Sequence, residues 1–238
     1  MTFSDLIKKL QTAMNEQGAS LVVDGDPGPK TQTALDRFDA FIVLENAEPE
    51  VVKPTQPAQG DFGAPWVFSN IDLLGKNERD PDLNARYVPE WKHMARAKNY
   101  NTLSGNDYAW CAVKVSADLR KHGIVGTDDP GAASYSEYGK DCPFWFGCIL
   151  PIRHHSGGRH VCFFLYWIDE KRKIAATIDG NRSNMFGIFE TNLSGSSDSL
   201  VPGPRWPKNW TDGQIVPMNE VLTKYPFLKV GGKGSGTT

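Results

Sequence analysis

The segment 157–181, GGRHVCFFLYWIDEKRKIAATIDGN, decides the fold of the larger part of this chain. Two runs rich in apolar and β-branched residues flank a short charged segment, which is the pattern of a β-hairpin. We predict strands over Val161–Ile168 and Lys173–Gly180, joined by a loop over Asp169–Arg172.

The register of this hairpin decides which side chains share a face. If Ile168 pairs with Lys173, His160 at the mouth of the first strand faces the end of the second strand. It then lies opposite Asn181, with Asp179 two residues along on the same face. A carboxylate and an amide in these positions would fix the tautomer and the orientation of the imidazole. A slip of one residue would turn both groups to the other face.

The segment 106–123, NDYAWCAVKVSADLRKHG, places Cys111 at the start of a predicted amphipathic helix. The apolar stripe of this helix contains Ala112, Val115 and Leu119. We predict that the helix packs by this one face. The charged positions off the stripe are Lys114, Asp118 and Arg120.

A cysteine at the start of a helix has two interpretations. Backbone N–H groups and the positive end of the helix dipole favour a thiolate there and can hold an oxyanion. Free cysteine is also among the most buried residue types, so the position of Cys111 alone favours a packing role. Cys111, His160 and a polar residue that orients the imidazole together form the minimum set for thiol nucleophilic catalysis. Asp179 and Asn181 both remain open as the third member.

Composition excludes several classes of function. The chain has 238 residues and a formal net charge of −2, so no general basic field favours nucleic acid or an anionic membrane as a partner. The longest apolar run, VCFFLYWI, is too short to span a bilayer. The first residues lack the apolar region of a secretory signal, so we expect synthesis in the cytosol and reduced cysteines. A monomer is expected.

We expect two domains joined by a linker. Residues 1–46 carry two apolar-periodic segments around a Gly- and Pro-rich loop, which indicates a small helical domain. Residues 47–63 have the Pro-, Glu- and Gln-rich composition of a linker. Residues 64–210 carry predicted helices, one of them over 65–75, and then predicted strands, which indicates an α+β domain with an antiparallel sheet. Residues 211–238 are expected to form a C-terminal extension with a flexible end.

A metal site is the main competitor for the thiol chemistry. Six potential zinc ligands fall within 21 residues, namely Cys142, Cys148, His154, His155, His160 and Cys162. Their spacings, Cys-x5-Cys and His-x-Cys, are not usual for zinc. A calcium loop starting at DPDLN fails because Ala85 and Trp91 replace the required glycine and glutamate. We therefore predict neither a metal nor another cofactor.

The order of these motifs resembles a known group of enzymes. DYAWCAVKVSADLRKHGIVGT, followed by RHVCFFLYWI, IDGNRSN and PRWP, resembles the CHAP and NlpC/P60-like cysteine peptidases and amidases of peptidoglycan over about residues 64–207. The resemblance implies a papain-like fold with Cys111 as nucleophile, His160 as general base, and Asp179 or Asn181 as the third member. The residues expected to line or support the substrate groove are Asn106, Tyr108 and Trp110.

The first segment has a resemblance of its own. LIKKLQTAMNEQGASLVVDGDPGPKTQTALDRF resembles a peptidoglycan-binding type 1 domain, through its Leu-Gln helix, its Val-Asp-Gly turn and its Gly-Pro-x-Thr motif. It implies a small three-helix cell-wall-binding domain in which Asp24 and Gly25 help to bind the wall. The chain departs from the pattern at Asp26-Pro27 and at Asp39.

Two resemblances that point to one polymer support each other. Together they imply a modular phage endolysin that cleaves an amide bond of the peptidoglycan stem peptide, as an endopeptidase or an N-acetylmuramoyl-L-alanine amidase. Such an enzyme is made in the host cytoplasm and acts on the cell wall. The alternatives are a wall-binding protein without activity, a zinc-dependent peptidoglycan amidase, and an injected antibacterial amidase toxin.

Overall fold

A computed structural model describes residues 2–16, 21–26, 31, 62–94, 101–104, 109–155, 157–195 and 198–230. The chain divides into two compact units, Met1–Lys53 and Pro54–Thr238. The predicted linker 47–63 lies outside the described residues up to position 61.

The described part of the first unit is built around helix α1, Phe3–Glu16. Thr2 caps this helix: its hydroxyl accepts a hydrogen bond from the backbone N–H of Asp5, and the Asp5 carboxylate accepts one from the Thr2 N–H. This reciprocal pairing is a capping box, which satisfies donors that the first turn leaves free. Ile7 and Gln11 are buried. The second helical segment expected in this unit lies outside the described residues, apart from Thr31.

The second unit is an α+β fold with a seven-stranded antiparallel sheet, as the order of predicted helices and strands indicated. Along the sheet the strand order is β1-β7-β2-β3-β4-β5, and β6 also pairs with β2. The strands are β1 Lys140–Asp141, β2 Ile149–His154, β3 Arg159–Asp169, β4 Ile174–Arg182, β5 Met185–Asn192, β6 Asp198–Leu200 and β7 Arg205–Trp206.

Three α-helices and four short 3₁₀ helices accompany the sheet in the described part of this unit. They are α2 Pro81–Trp91, α3 Cys111–Arg120 and α4 Met218–Lys224, with 3₁₀ helices at Pro65–Phe68, Ile71–Leu73, Ala132–Glu137 and Pro226–Leu228. Across the described ranges, no helix has both the length and the apolar character needed to cross a bilayer.

The single helix predicted over 65–75 is wrong. Two 3₁₀ helices occupy the segment, and Asn70 between them has a non-helical backbone, with φ −140° and ψ 34°. The Asn70 side chain donates a hydrogen bond to Asp118 and accepts one from Arg86 at 3.1 Å. These tertiary hydrogen bonds hold Asn70 out of the helix and override the local pattern.

The predicted hairpin is present as β3 and β4, and its register at the site is confirmed: Cys162 lies opposite Asp179. The predicted pairing of Ile168 with Lys173 at the turn is wrong, because Asp169 pairs with Ile174. Two β-bulges in β3 each add one residue to that strand, and together they restore the predicted register by the time the ladder reaches Cys162.

Helix α3 is buried on nearly all sides, so the prediction that it packs by one face is wrong. Every residue from Cys111 to Leu119 is buried, including Lys114 and Asp118. The helix contacts β3, β4 and α2. Lys114 and Asp118 are buried as an ion pair, with 3.1 Å between Nζ and Oδ2. Arg120 is partly exposed and pairs with Glu90 of α2 at 2.8 Å.

The second unit also extends beyond the limits expected for the catalytic domain. Phe62, which we assigned to the linker, is buried against Phe146, with 5.2 Å between the ring centroids. In the expected C-terminal extension, Val221 and Leu228 are fully buried. The Tyr166 hydroxyl donates a hydrogen bond to the Leu228 carbonyl at 3.1 Å. Residues 62–63 and 211–230 therefore contribute to the packing of this unit.

Candidate active site

Cys111 begins helix α3 and is fully buried. The preceding residue, Trp110, is the N-cap of the helix and is 1% exposed. Its ring stacks on Tyr87 with 6.0 Å between centroids. Trp110 therefore supports the start of the helix from within the core. The other two residues expected at the groove, Asn106 and Tyr108, lie outside the described residues.

Strand β4 approaches α3 closely at Gly180. A Cβ atom built on Gly180 would lie 2.7 Å from the Trp110 ring and 2.9 Å from the Cβ of Lys114. Both neighbours are buried, so neither can move aside easily. Because Gly180 has no side chain, β4, which carries Asp179, can pack against α3, which carries Cys111.

His160 lies between the cysteine and the carboxylate. Its Nε2 forms a hydrogen bond with Asp179 Oδ2 at 3.1 Å, and the Cys111 side chain is close enough to influence the pKa of the ring. Burial lowers the pKa of His160, but the hydrogen bonds and negative charges of Asp179 and Cys111 outweigh it and raise the pKa to about 10. The site therefore favours an imidazolium between two acidic partners.

Asp179 is fully buried and is held as a carboxylate by its neighbours. Burial alone would raise its pKa, but the hydrogen bond and charge of His160 and the charge of Arg182 lower it below its usual value. Arg182 Nη1 lies 3.3 Å from the same Oδ2 atom that His160 contacts. Arg182 also donates hydrogen bonds to the Thr191 hydroxyl and the Glu190 carbonyl, which fix the guanidinium beside the site.

Asn181, the other residue predicted to orient the ring, has a left-handed backbone with φ 63°. The β4–β5 ladder is irregular between Asp179 and Arg182, so the regular strand geometry that would place Asn181 opposite His160 does not continue to it. Asn181 lies in the wall of the pocket beside His160. The hydrogen bond to the ring comes from Asp179.

A pocket of about 190 Å³ opens beside His160. Its walls are formed by Ile152, His154, His160, Asn181, Arg182, Ser183, Thr191 and Asp198. A larger pocket of about 470 Å³ is lined by another part of the second unit, including Tyr138 and Trp210, and by none of the predicted catalytic residues. The walls of the smaller pocket include His160 and Asn181 but not Cys111 or Asp179, and we take this pocket as the candidate substrate site.

The pocket contains a second histidine–carboxylate pair that the sequence did not predict. His154 Nδ1 lies 2.6 Å from Asp198 Oδ1, and its ring centroid is 6.0 Å from that of His160. His154 ends β2, and its backbone pairs directly with that of Asp198 in β6. The short β6 has no alternating pattern from which to predict it, so this pair could not be recognised from the sequence.

Three possible metal ligands meet at the same site. One ligand atom each from His160, Cys162 and Asp179 lies within 4.8 Å of the other two. Burial and the nearby Asp179 charge raise the pKa of Cys162 well above its usual value, so this thiol is neutral. Of the six zinc ligands considered from spacing, two belong to this cluster, and the third member, Asp179, was not among the six.

In the first unit, Asp24 and Gly25 form a turn organised by the buried side chain of Gln11. Gln11 Nε2 donates a hydrogen bond to Asp24 Oδ1 at 2.8 Å, and Gln11 Oε1 accepts one from the Gly25 N–H at 2.9 Å. Gly25 has φ 80°, and a Cβ atom there would lie 2.2 Å from the Ser4 hydroxyl oxygen. Both predicted wall-binding residues therefore have a structural role in this turn.

No protein-family model matches this chain, and no curated protein sequence matches it.

Proposed function

We propose that this protein is a cysteine hydrolase that cleaves an amide bond of the peptidoglycan stem peptide. The observation that carries the proposal is the position of His160, which is hydrogen-bonded to Asp179, influenced by Cys111, and part of the wall of a pocket. A thiol, an imidazole and an orienting carboxylate in contact are the components of a nucleophile with its general base. Peptidoglycan as the substrate rests on the sequence resemblances, as do the papain-like fold and the wall-binding role of the first unit.

The proposed reaction needs a Cys111 thiolate beside the imidazolium of His160, and the raised pKa of His160 favours that proton on the ring. Because Nε2 bonds Asp179, the proton that is exchanged with Cys111 is carried by Nδ1. The thiolate attacks the scissile carbonyl, and backbone N–H groups at the start of α3 stabilise the oxyanion. The imidazolium then gives its proton to the leaving amine, and water hydrolyses the thioester. Asp179 holds the ring and stabilises its positive charge throughout.

Arg182 has a positioning role in this scheme. It shares the Oδ2 atom of Asp179 with His160, and its other hydrogen bonds fix it to β5. A second cation beside Asp179 keeps that carboxylate ionised when His160 loses its proton, so Asp179 continues to hold the ring for the next turnover.

The test compares full-length wild type with Cys111→Ala and with the matched control Cys142→Ala, which removes a half-buried free thiol. Purified cell walls are the substrate, and loss of turbidity is followed alongside mass spectrometry of the released fragments. We expect Cys111→Ala to lose at least about a hundredfold in rate and Cys142→Ala to clear normally. Equal clearing by Cys111→Ala and wild type would refute the proposal, and the fragments identify the bond cleaved.

Inhibitors separate this proposal from the alternatives. Iodoacetamide should abolish clearing, whereas EDTA should leave it intact, because the mechanism uses a thiolate and no metal. The reverse pattern would support a zinc-dependent amidase. Sedimentation of the protein with cell walls, without release of fragments, would instead support a binding protein. An injected toxin would use the same chemistry. Lysis of cells that express the protein in the periplasm, without lysis when it is added from outside, is expected of an endolysin and of an injected toxin alike.

A further inference from the structure

We propose that His160, Cys162 and Asp179 form an inhibitory site for Zn²⁺. The inhibitory role rests on the proposed function, since zinc bound there would occupy the general base. The binding of zinc itself does not depend on that function. Cys162 has no part in the proposed reaction, although it lies beside the residues that do.

The strands place the three side chains on one face. Cys162 lies opposite Asp179 in the ladder between β3 and β4, and His160 is two residues from Cys162 along β3. One ligand atom from each lies within 4.8 Å of the other two. In a tetrahedral zinc site the ligand atoms are about 3.3 to 3.6 Å apart, as follows from Zn–N, Zn–O and Zn–S bonds of about 2.0 to 2.3 Å. The ligand atoms that are farthest apart must therefore approach each other by at most about 1.5 Å to hold the ion.

The carboxylate has an acceptor atom to spare. Asp179 Oδ2 is shared by His160 and Arg182, whereas Oδ1 is buried and accepts no hydrogen bond within the described part of the chain. A buried carboxylate oxygen without a donor is costly, and a cation would satisfy it. This observation is independent of the clustering and points to a positive ligand at this carboxylate.

The kinds of ligand favour zinc over other common divalent ions. One thiolate, one imidazole and one carboxylate match the ligands of Zn²⁺, whereas Ca²⁺ and Mg²⁺ prefer sites made only of oxygen. Binding releases the proton of the Cys162 thiol and replaces the hydrogen-bonding proton between His160 and Asp179 with the metal. Three protein ligands leave one coordination position for water.

This replacement explains the expected inhibition. When Nε2 of His160 is bound to zinc, the imidazole loses its hydrogen bond to Asp179 and cannot become an imidazolium. The ring then no longer exchanges a proton with Cys111, so the thiolate does not form and the leaving amine receives no proton. Clearing of cell walls should stop without any change in wall binding by the rest of the chain.

The experiment measures zinc binding and activity separately on the full-length chain. Zinc sulfate is titrated by calorimetry into wild type, Cys111→Ala, Cys162→Ala and the control Cys142→Ala. We expect one ion per chain in wild type, Cys111→Ala and Cys142→Ala, and an affinity at least about tenfold weaker in Cys162→Ala. The melting temperature of Cys111→Ala should rise with zinc, and that of Cys162→Ala should not.

Activity gives the second readout. Each active variant is compared with its own rate in EDTA, and zinc should inhibit wild type and Cys142→Ala but not Cys162→Ala. Circular dichroism and a second variant, Cys162→Ser, check that the loss of binding is not a loss of folding. Wild-type affinity in Cys162→Ala, or loss of binding in Cys111→Ala alone, would overturn the zinc site. Binding as expected by a chain that clears no cell walls would support the site and refute the proposed function.

Discussion

Removal of Lys114 tests whether the buried ion pair of α3 supports the site. The Lys114 side chain is fully buried and that of Asp118 is 2% exposed, with 3.1 Å between Nζ and Oδ2. At an effective dielectric constant of about 20, two charges at that distance attract by about 5 kcal/mol. Burial raises the pKa of Asp118 and Lys114 lowers it, so removing the lysine takes away the main group that offsets the burial of this carboxylate.

Lys114→Met should therefore leave a buried carboxylate without its cation and cost about 3 to 5 kcal/mol of unfolding free energy. Asp118→Leu should cost a similar amount, because it leaves a buried ammonium between the rings of Phe163 and Phe186. The double variant should lose clearly less than the two losses added together, since neither charge is then left alone.

Urea unfolding followed by tryptophan fluorescence suits this measurement, because all seven tryptophans lie in the second unit. Lys76→Met is the matched control. Its ion pairs with Asp82, at 2.5 Å, and with Asp80, at 3.1 Å, are partly exposed, so water screens them and the variant should change stability far less. Single variants within about 1 kcal/mol of wild type, or strictly additive losses, would refute the argument from burial.

Two further predictions concern the site itself. Gly180→Ala should lose about 1 to 3 kcal/mol of stability and most wall clearing, because its Cβ would meet Trp110 and Lys114. Gly203→Ala, where a Cβ meets nothing within 4 Å, should lose neither, and equal effects of the two would contradict the close approach of β4 and α3. The pKa of His160 is raised from 6.5 to about 10 by its acidic partners, which outweigh burial, so its contribution to stability is complete below about pH 6.5 and is lost as the pH rises through about 10. Urea unfolding from pH 6 to 10 should show this fall in wild type, and an equally steep fall in His160→Asn would contradict it.

Local pattern was sufficient to predict the hairpin and the helix start at Cys111. Two apolar runs flank a charged turn, and the apolar residues that follow Cys111 repeat with helical spacing. Both patterns arise from residues that are close together in the chain, so they can be recognised without knowledge of the tertiary structure. They also predicted that His160 and Asp179 share a face, which the hydrogen bond between them confirms.

The details of the register depended on features that leave no local signal. The turn lies one residue beyond its predicted place, because Asp169 pairs with Ile174, and two bulges in β3 compensate for the difference. A bulge inserts one extra residue into a strand and leaves the residue pattern on either side unchanged, so it cannot be recognised from the sequence. The choice of Asp179 over Asn181 as the partner of the ring follows from the irregular end of β4, which a regular strand pattern does not contain.

The sequence by itself determined the mixed α+β class and brought a thiol, an imidazole and a carboxylate into one hypothesis. Only the tertiary structure decided that Lys114 and Asp118 are buried, that Cys162 joins His160 and Asp179, and which strands surround the pocket. The physical reason is the range of the forces involved. Periodicity reports contacts within a helix or hairpin, whereas the burial of a charge depends on partners far along the chain that compensate for its lost hydration.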